Sequence, residues 1–247
     1  MKLISLNTWA GRVGKDIFLD FFERHKDVDI FCLQEVWQGG HEHASLWGEN
    51  IDTTLMTSIS SVLTEHEVLF YPHYMDWYGI AIYVKKDIRI IEEGDIFVFK
   101  YRENMFDDDK AKNHARNIQW IKIDTDKGPR TIINFHGLWN GISKEDTKER
   151  MIQADNIVKF LKNVSSSHVL CGDFNLMPEN KSLKMIEDLG MRNLITEFDI
   201  ISTRSSHYKK PERFADYTLV DKGIQVHDFK VLPDEVSDHL AMYLEFD

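Results

Sequence analysis

The sequence has few cysteines, no long apolar segment and fewer basic than acidic residues. Cys32 and Cys171 are its only cysteines, each within an apolar run and neither in a C-x-x-C spacing. We therefore expect buried reduced thiols rather than a disulfide or a metal site. No apolar run has the length of a membrane-spanning helix. The start, MKLISLNTW, lacks a long apolar core and a small-residue cleavage site, so we expect no signal peptide and a cytoplasmic location.

The charge balance limits the partners that can bind without a special site. Lys and Arg total 30 and Asp and Glu total 41 among 247 residues, which gives a net charge of −11. Non-specific attraction to polyanions is disfavoured by this charge. A nucleic-acid or anionic-membrane partner would need a local basic patch or bound metal cations.

Apolar runs typical of strands recur along the whole chain, and helical patterns are fewer. With no internal repeat, low-complexity tract or linker, we expect one domain over residues 1–247. So many strands predict an α/β (α+β) fold in which two mixed β-sheets, stacked face to face, are flanked by helices in a four-layer sandwich. The predicted strands are 2–6, 29–33, 67–70, 79–84, 88–99, 118–123, 130–135, 168–171, 217–220, 226–230 and 240–246, and the predicted helices are 16–25, 52–65, 144–163 and 182–189.

The stretch LCGDFNLMPEN, residues 170–180, places a carboxylate and an amide where a strand ends. Strand side chains alternate between faces, so we expect Asp173 and Asn175 to point the same way while Phe174 packs inward. A helix N-cap in a βα turn accounts for the same residues, and this segment alone does not separate the two interpretations.

Similar polar residues lie at other strand ends. A single one is more often a turn or cap residue. Together, acids, amides and histidines at one edge of the sheets are what a metal-assisted hydrolase needs. The set comprises Asn7, Glu35, His136, Asp173 with Asn175, Asp216, and the pair Asp238 and His239.

The motifs LISLNTW, CLQEVW, INFHGLW, LCGDFNLMP, ADYTLV and VSDHLAM occur in this order between Leu3 and Leu244. This series resembles the endonuclease/exonuclease/phosphatase superfamily, the metal-dependent phosphodiesterases of the deoxyribonuclease I type. The family's fold, two mixed sheets between helices, agrees with the strand count. The resemblance implies hydrolysis of a phosphodiester by attack of water on phosphorus.

The resemblance also implies residue roles. Glu35 resembles the carboxylate that binds the divalent metal, Asn7 holds a ligand water, the metal or the phosphate, and Asp238 is a further metal or structural acid. Asp173 resembles the residue that orients or deprotonates the attacking water. Asn175 resembles the amide that grips a phosphate oxygen.

His239 resembles the histidine that faces the scissile phosphate, with Asp216 as its carboxylate partner. His136 resembles a second histidine that many branches share. We expect Asp216 to fix the tautomer of His239 and to favour its imidazolium form. Mg²⁺ is the expected cofactor, with Mn²⁺ as an alternative, because a hard cation with oxygen ligands neutralises phosphoryl charge. Arg116 is either a phosphate-binding residue or an ordinary surface cation at a strand start.

Three loops bear on the substrate. Aromatic residues in the first two either stack on bases or pack inward as loop anchors. A basic run in the third is either a contact for a nucleic-acid backbone or a solvated loop. The aromatic residues are Trp37, Trp47, Tyr74, Trp77 and Tyr78, and the basic run contains Arg204, His207, Lys209, Lys210 and Arg213.

An acidic triplet, Asp107, Asp108 and Asp109, would repel a duplex if it lay in a binding groove. We rank a monomeric nuclease acting on DNA or RNA first, with Arg116, Lys209, Lys210 and Arg213 contacting the substrate. A phospholipase C, sphingomyelinase or inositol-phosphate type of hydrolase, acting on a small phosphoester, comes second. A non-catalytic binding module is the third hypothesis.

Overall fold

A computed structural model describes residues 1–101 and 114–247. The acidic triplet at residues 107–109 lies outside the described residues. The described strands are β1 (Lys2–Asn7), β2 (Ile30–Trp37), β3 (His66–Tyr74), β4 (Tyr78–Lys85), β5 (Ile90–Phe99), β6 (Arg116–Ile123), β7 (Arg130–His136), β8 (Ser167–Asp173), β9 (Arg192–Asn193), β10 (Asp216–Val220), β11 (Val226–Val231) and β12 (Met242–Phe246). The described helices are α1 (Lys15–Arg24), α2 (Ala44–Trp47), α3 (Leu55–Ser60), α4 (Lys148–Leu161), α5 (Lys181–Glu187) and α6 (Leu194–Glu197), and short 3-10 turns span Trp9–Gly11 and His41–His43.

The strands form two six-stranded sheets. The first has the order β11-β12-β1-β2-β4-β3 and the second has the order β5-β6-β7-β8-β10-β9. Both are mixed, because β1 runs parallel to β2 and β7 runs parallel to β8, while the other neighbours are antiparallel. The predicted fold is confirmed.

The two sheets pack face to face through an apolar core, to which Ile82 of the first sheet and Ile133 of the second both belong. Buried side-chain amides cross this interface. Asn134 Nδ2 donates to the carbonyl oxygens of Leu33 and Ala81 in the other sheet at 3.0 and 3.1 Å. Because buried polar groups need specific partners, these bonds fix how one sheet lies on the other.

Helices cover the outer faces. A second core joins Phe18, Phe21 and Phe22 of α1 to the outward side chains of β2, and the inner face of α4 packs on the second sheet through Ile157 and Leu161. No helix in the described parts of the chain is long and apolar enough to cross a membrane. Cys32 and Cys171 are free and buried, as expected.

The start of the predicted helix 144–163 is wrong. The helix begins at Lys148, and Thr147 is its N-cap, with Oγ1 accepting from the Arg150 N–H at 3.3 Å. The sequence SKED, with Ser143 three residues before Asp146, resembles a capping box for this helix, but Asp146 instead accepts hydrogen bonds from the backbone N–H groups of Lys181 and Ser182. The carboxylate therefore caps α5 rather than α4, a long-range contact that local spacing does not reveal. The two-residue strand β9 was also missed, because so short a strand has no periodicity.

Candidate active site

The polar strand ends converge on one edge of the two sheets. His136 and Asp173 lie opposite each other at the ends of the parallel strands β7 and β8. Asp216 lies opposite Asp173 in the antiparallel pair of β10 and β8. In the other sheet, Asn7 ends β1 and Glu35 lies in the neighbouring β2. Asn7 Nδ2 donates to Asp173 Oδ2 at 2.9 Å, so the two sheets meet here.

These side chains surround a cavity of about 220 Å³. Seven of the predicted residues line it: Glu35, Arg116, His136, Asp173, Asn175, Asp238 and His239. Asn7 and Asp216 contact this lining from behind, through Asp173 and His239 respectively.

The backbone is strained at two of these residues. Glu35 and Asn175 have φ angles of 56° and 54°, in the left-handed region that non-glycine residues rarely adopt. Glu35 lies in an interruption of the β2–β4 register between Leu33 and Val36, which turns its carboxylate out of the regular alternation. Such strain costs on the order of 1–3 kcal/mol per residue and clusters at functional sites.

Two glycines allow the ends of β7 and β8 to approach each other. A Cβ atom on Gly172 would lie 2.0 Å from the carbonyl oxygen of Phe135, and one on Gly137 would lie 2.2 Å from that of Phe174. A side chain at either position would push His136 away from Asp173.

Asp173 and Asn175 do lie together, but not because strand side chains alternate. The strand ends at Asp173, and the left-handed Asn175 folds back, so that its N–H donates to Asp173 Oδ1 at 2.8 Å. Asn7 and Asn175 both donate side-chain N–H groups to Asp173 Oδ2, at 2.9 and 3.3 Å. Phe174 is fully buried against Phe135, as predicted.

His239 and Asp216 form a buried pair. Nδ1 of His239 lies 2.8 and 2.9 Å from the two carboxylate oxygens of Asp216. Nε2 of His239 accepts a hydrogen bond from Arg204 Nη1. The predicted pairing is therefore present, and it places the ring proton on Nδ1.

The expected imidazolium form of His239 is not favoured. Burial, followed by the nearby Arg204 cation, lowers the pKa of His239 to about 4. Burial also raises the pKa of Asp216 to about 6. The prediction failed because the sequence does not show that Arg204 reaches the ring, nor that the pair is so deeply buried.

The remaining carboxylates carry an excess of negative charge. Burial, followed by the charge of Asp238, raises the pKa of Glu35 to about 7. Oδ1 of Asp238 is buried without a hydrogen-bond partner, while Oδ2 accepts from Arg204 at 3.1 Å. Ligand atoms of Asp173, Asp216 and His239 also lie within 4.8 Å of one another, a grouping that could hold a metal ion.

Arg116 is not a surface cation, since it is only 1% exposed. Its Nε donates to the Gly137 carbonyl oxygen at 2.8 Å, and its Nη1 contacts His114 and His73. The rings of these two histidines stack with centroids 5.2 Å apart. Burial lowers the pKa values of both histidines well below their ordinary value, so they hold Arg116 as neutral partners.

The three substrate contacts predicted in the basic run lie outside the cavity, unlike Arg116. Lys209, Lys210 and Arg213 are exposed, and none of them lines it. Lys210 Nζ lies 4.7 Å from the centroid of Trp139, which does line the cavity. Their contact with a substrate stays a prediction.

The aromatic loops mainly pack inward. Trp37, Tyr74 and Tyr78 are buried in one cluster of rings with Trp47 and Trp77. Trp47 and Tyr78 also line the cavity. The anchor interpretation therefore holds for the cluster as a whole, with one side of it facing the site.

Six further cavity residues were not predicted as site residues: Trp9, Arg12, Trp139, Lys144, Arg204 and Tyr208. Trp9 directly follows the motif residue Asn7 and its neighbour Thr8, and Arg204 belongs to the basic run, so each had a signal. Trp139 closes the motif INFHGLW and Tyr208 lies within the basic run, so these two also had a signal. Arg12 and Lys144 had none, because only the tertiary fold brings them to the cavity.

Comparisons with known proteins agree with this fold. The profile described as the Endonuclease/Exonuclease/phosphatase family matches residues 4–239. A comparison with curated protein sequences finds no significant match. Among solved structures, the chain is similar to a mannosyl-6-phosphatase of Bacteroides thetaiotaomicron (TM-score 0.75, 17% identity, 100% of this chain and 99% of that one covered). It is also similar to the catalytic domain of human Nocturnin (TM-score 0.71, 17% identity, 100% of this chain and 93% of that one covered). A humanized D. rerio TDP2 is similar as well (TM-score 0.70, 13% identity, 100% of this chain and 98% of that one covered).

The solved structures support the fold alone at these identities, whereas the profile match covers nearly the whole chain. The chain therefore belongs to the Endonuclease/Exonuclease/phosphatase family, whose members are hydrolases acting on phosphoester bonds.

Proposed function

We propose that this protein is a divalent-metal-dependent phosphoester hydrolase that uses water as the nucleophile, with nucleic acid as its substrate. The observation that carries the proposal is the convergence of acids, amides and histidines from both sheets on one cavity that cationic side chains also line. Such a set can hold a hard cation, a water molecule and a phosphate together.

The residues fit a divalent cation. Burial, followed by the charge of Asp238, raises the pKa of Glu35, and Asp238 has a buried oxygen without a hydrogen-bond partner. Carboxylate and amide oxygens suit Mg²⁺ and Mn²⁺. We assign the metal to Glu35 and Asp238 with Asn7 beside them, since Asp216 is already bonded to His239. When bound, the cation neutralises charge on the phosphoryl and leaving-group oxygens.

The chain's own side chains then position the reactants. Asp173 is held by three N–H donors from Asn7 and Asn175, and it orients the attacking water and takes up its proton. Asn175 aligns this carboxylate and grips a phosphate oxygen. His239, with its Nδ1 proton held by Asp216, and His136 flank Asp173, with Nε2 atoms 3.6 and 3.8 Å from its Oδ2. Arg116 supplies a fixed positive charge from the floor of the cavity.

Two features support a nucleic-acid substrate. Trp9, Trp47 and Trp139 line the cavity, where rings can stack on bases. Lys209, Lys210 and Arg213 lie on the exposed surface of the adjacent loop, where they can contact a phosphate backbone.

A small phosphoester is the second candidate. It is favoured by the size of the cavity, about 220 Å³, and by its four cationic lining residues, Arg12, Arg116, Lys144 and Arg204. Cations close to the reacting centre can bind a small anionic substrate directly, so no further contact with the exposed basic loop is needed.

A substrate panel tests both candidates. Single- and double-stranded DNA, RNA, an abasic duplex, sphingomyelin, inositol phosphates and nitrophenyl phosphate esters would be assayed with Mg²⁺, with Mn²⁺ and in EDTA. Hydrolysis should disappear in EDTA and return with the cation, and Asp173→Asn should fold normally but lose activity. Full activity in chelator would overturn the metal-dependent mechanism. A higher kcat/KM for a small ester than for every nucleic acid would select the second candidate.

A further inference from the structure

We propose that Arg204 is a further catalytic residue of this site, which contacts the phosphoryl group of the substrate. This inference rests on the proposed phosphoester hydrolysis. Arg204 lines the cavity, although its side chain is only 7% exposed. A guanidinium group is planar and carries several donors, so it can bind two phosphoryl oxygens at once.

The donors of Arg204 are aimed at the reacting groups but are not fully used. Nη1 makes both polar contacts, to Asp238 Oδ2 and to His239 Nε2. Nε is buried without a hydrogen-bond partner. If Arg204 served only as the counter-ion of Asp238, burying its Nε donor without an acceptor would cost stability with no compensation. A phosphoryl oxygen at this place would supply the missing acceptor.

The backbone holds Arg204 in a fixed position. Arg204 pairs with His239 in an isolated antiparallel bridge. On one side, Thr203 Oγ1 accepts from the N–H groups of Ala215 and Asp216, at 3.1 and 3.3 Å. On the other side, the hydroxyl of Ser205 donates to the Ser237 carbonyl oxygen at 2.6 Å. The arginine is therefore built into the same unit as the Asp216–His239 pair, and catalysis benefits from such preorganisation.

Tyr208 orients the guanidinium group. The Cζ atom of Arg204 lies 4.1 Å from the centroid of the Tyr208 ring, and Lys144 Nζ lies 5.3 Å from the same centroid. Lys144 is itself tied to this loop by a hydrogen bond to the Phe214 carbonyl oxygen. Tyr208 thus keeps two cations on the same side of the cavity through its ring face, which makes it a positioning residue.

Steady-state kinetics on the best substrate of the panel, at saturating cation, test the proposal. Arg204→Met should lower kcat by about 100-fold, as expected for loss of a transition-state donor. Arg204→Lys keeps the charge without the planar fork, so it should recover at most about tenfold of that loss. The inhibition constant of inorganic phosphate should rise in both variants. Lys222→Met removes an exposed charge in the remote β10–β11 turn and should behave as wild type.

A purely structural Arg204 gives different results. In that case Arg204→Met would lower the melting temperature or the cation affinity, yet retain the wild-type kcat once cation saturates, and Arg204→Lys would restore stability and activity together. Either result overturns the proposal. If Arg204→Met does not fold, Tyr208→Leu and Tyr208→Phe decide: the leucine variant should lose kcat about tenfold and the phenylalanine variant should not, and equal kcat values would count against it. A wild-type protein inactive on every substrate would instead reject the proposed function.

Discussion

The buried pair of His239 and Asp216 provides a test that separates chemistry from folding. The contact between Nδ1 and the Asp216 carboxylate holds the ring proton on Nδ1, so Nε2 presents its lone pair toward Arg204 and the cavity. Substitution of His239 by alanine removes the ring. Substitution of Asp216 by asparagine leaves the ring but changes what holds it.

The size of each effect follows from this geometry. A hydrogen bond to a charged group contributes about 1.5–3 kcal/mol, so its loss in Asp216→Asn should lower kcat by about 10- to 100-fold. If the asparagine amide donates to Nδ1, the ring proton moves to Nε2, where it faces the donating Nη1 of Arg204, and the loss becomes larger. His239→Ala should lower kcat by about 10²- to 10⁴-fold, with little change in KM.

The double variant is the decisive measurement. Because Asp216 acts through the ring of His239, the double variant should be no slower than His239→Ala alone. A double variant as slow as the product of the two single losses would refute the pairing. kcat and KM would be measured at saturating cation, with the melting temperature of each variant as the control for folding.

Stability should move in a different direction from activity. The folded-state pKa of Asp216 is raised by burial, so this group stabilises the fold below its unfolded pKa, and that stabilisation is lost as the pH rises through about 6. At pH 8, Asp216→Asn removes a buried charge and should not lower the melting temperature. A large decrease would mean that the pair is needed for folding rather than chemistry.

Three further predictions concern other parts of the chain. In EDTA, Glu35→Gln should raise the free energy of unfolding at pH 8 by about 2 kcal/mol, because a pKa raised from 4.5 to about 7 corresponds to about 3 kcal/mol before solvent screening of the partly exposed side chain. The difference should vanish near pH 4, where both states are protonated, and equal urea denaturation curves at both pH values would contradict it. Substitution of Lys209, Lys210 and Arg213 by alanine should reduce the slope of log Kd for DNA against log salt concentration by about 2–3. An unchanged slope would show that the loop does not contact the DNA backbone. Thr147→Ala should cost about 1 kcal/mol through the N-cap of α4 and leave kcat unchanged, so a loss of kcat at full stability would be unexpected.

The sequence predicted the parts of the fold that depend on local pattern. Apolar runs mark the strands, and the polar residues that follow them mark the strand ends. The parallel pairs β1–β2 and β7–β8 bring four of these polar residues to one edge of the sheets: Asn7, Glu35, His136 and Asp173. Where a side chain's position depends on a distant segment, the pattern failed. Asp146 caps a helix 35 residues away, and no local spacing contains that information.

The electrostatic state of the site was the harder part to predict. A pKa depends on burial and on charges within a few ångströms, and both are set by loops that the sequence does not place. Arg204 lies 35 residues before His239, yet it forms the contact that, with burial, keeps the ring neutral. The residue types in the motifs predicted the family, while the ionisation of those residues required the tertiary structure.

Several unfavourable features of this molecule meet at the cavity. Glu35 and Asn175 have left-handed backbone angles, the Glu35 carboxyl is expensive to ionise, and Asp238 and Arg204 each bury a polar atom without a partner. Each feature lowers the stability of the fold, and a sequence under selection for stability alone would have replaced them. The surrounding strands and their apolar cores hold these groups in place. Since strain and unsatisfied charge persist where a ligand compensates for them, the presence of these four residues at one cavity agrees with a ligand-binding role. A cation and a phosphate are the ligands that would neutralise these carboxylates and use the free arginine donor.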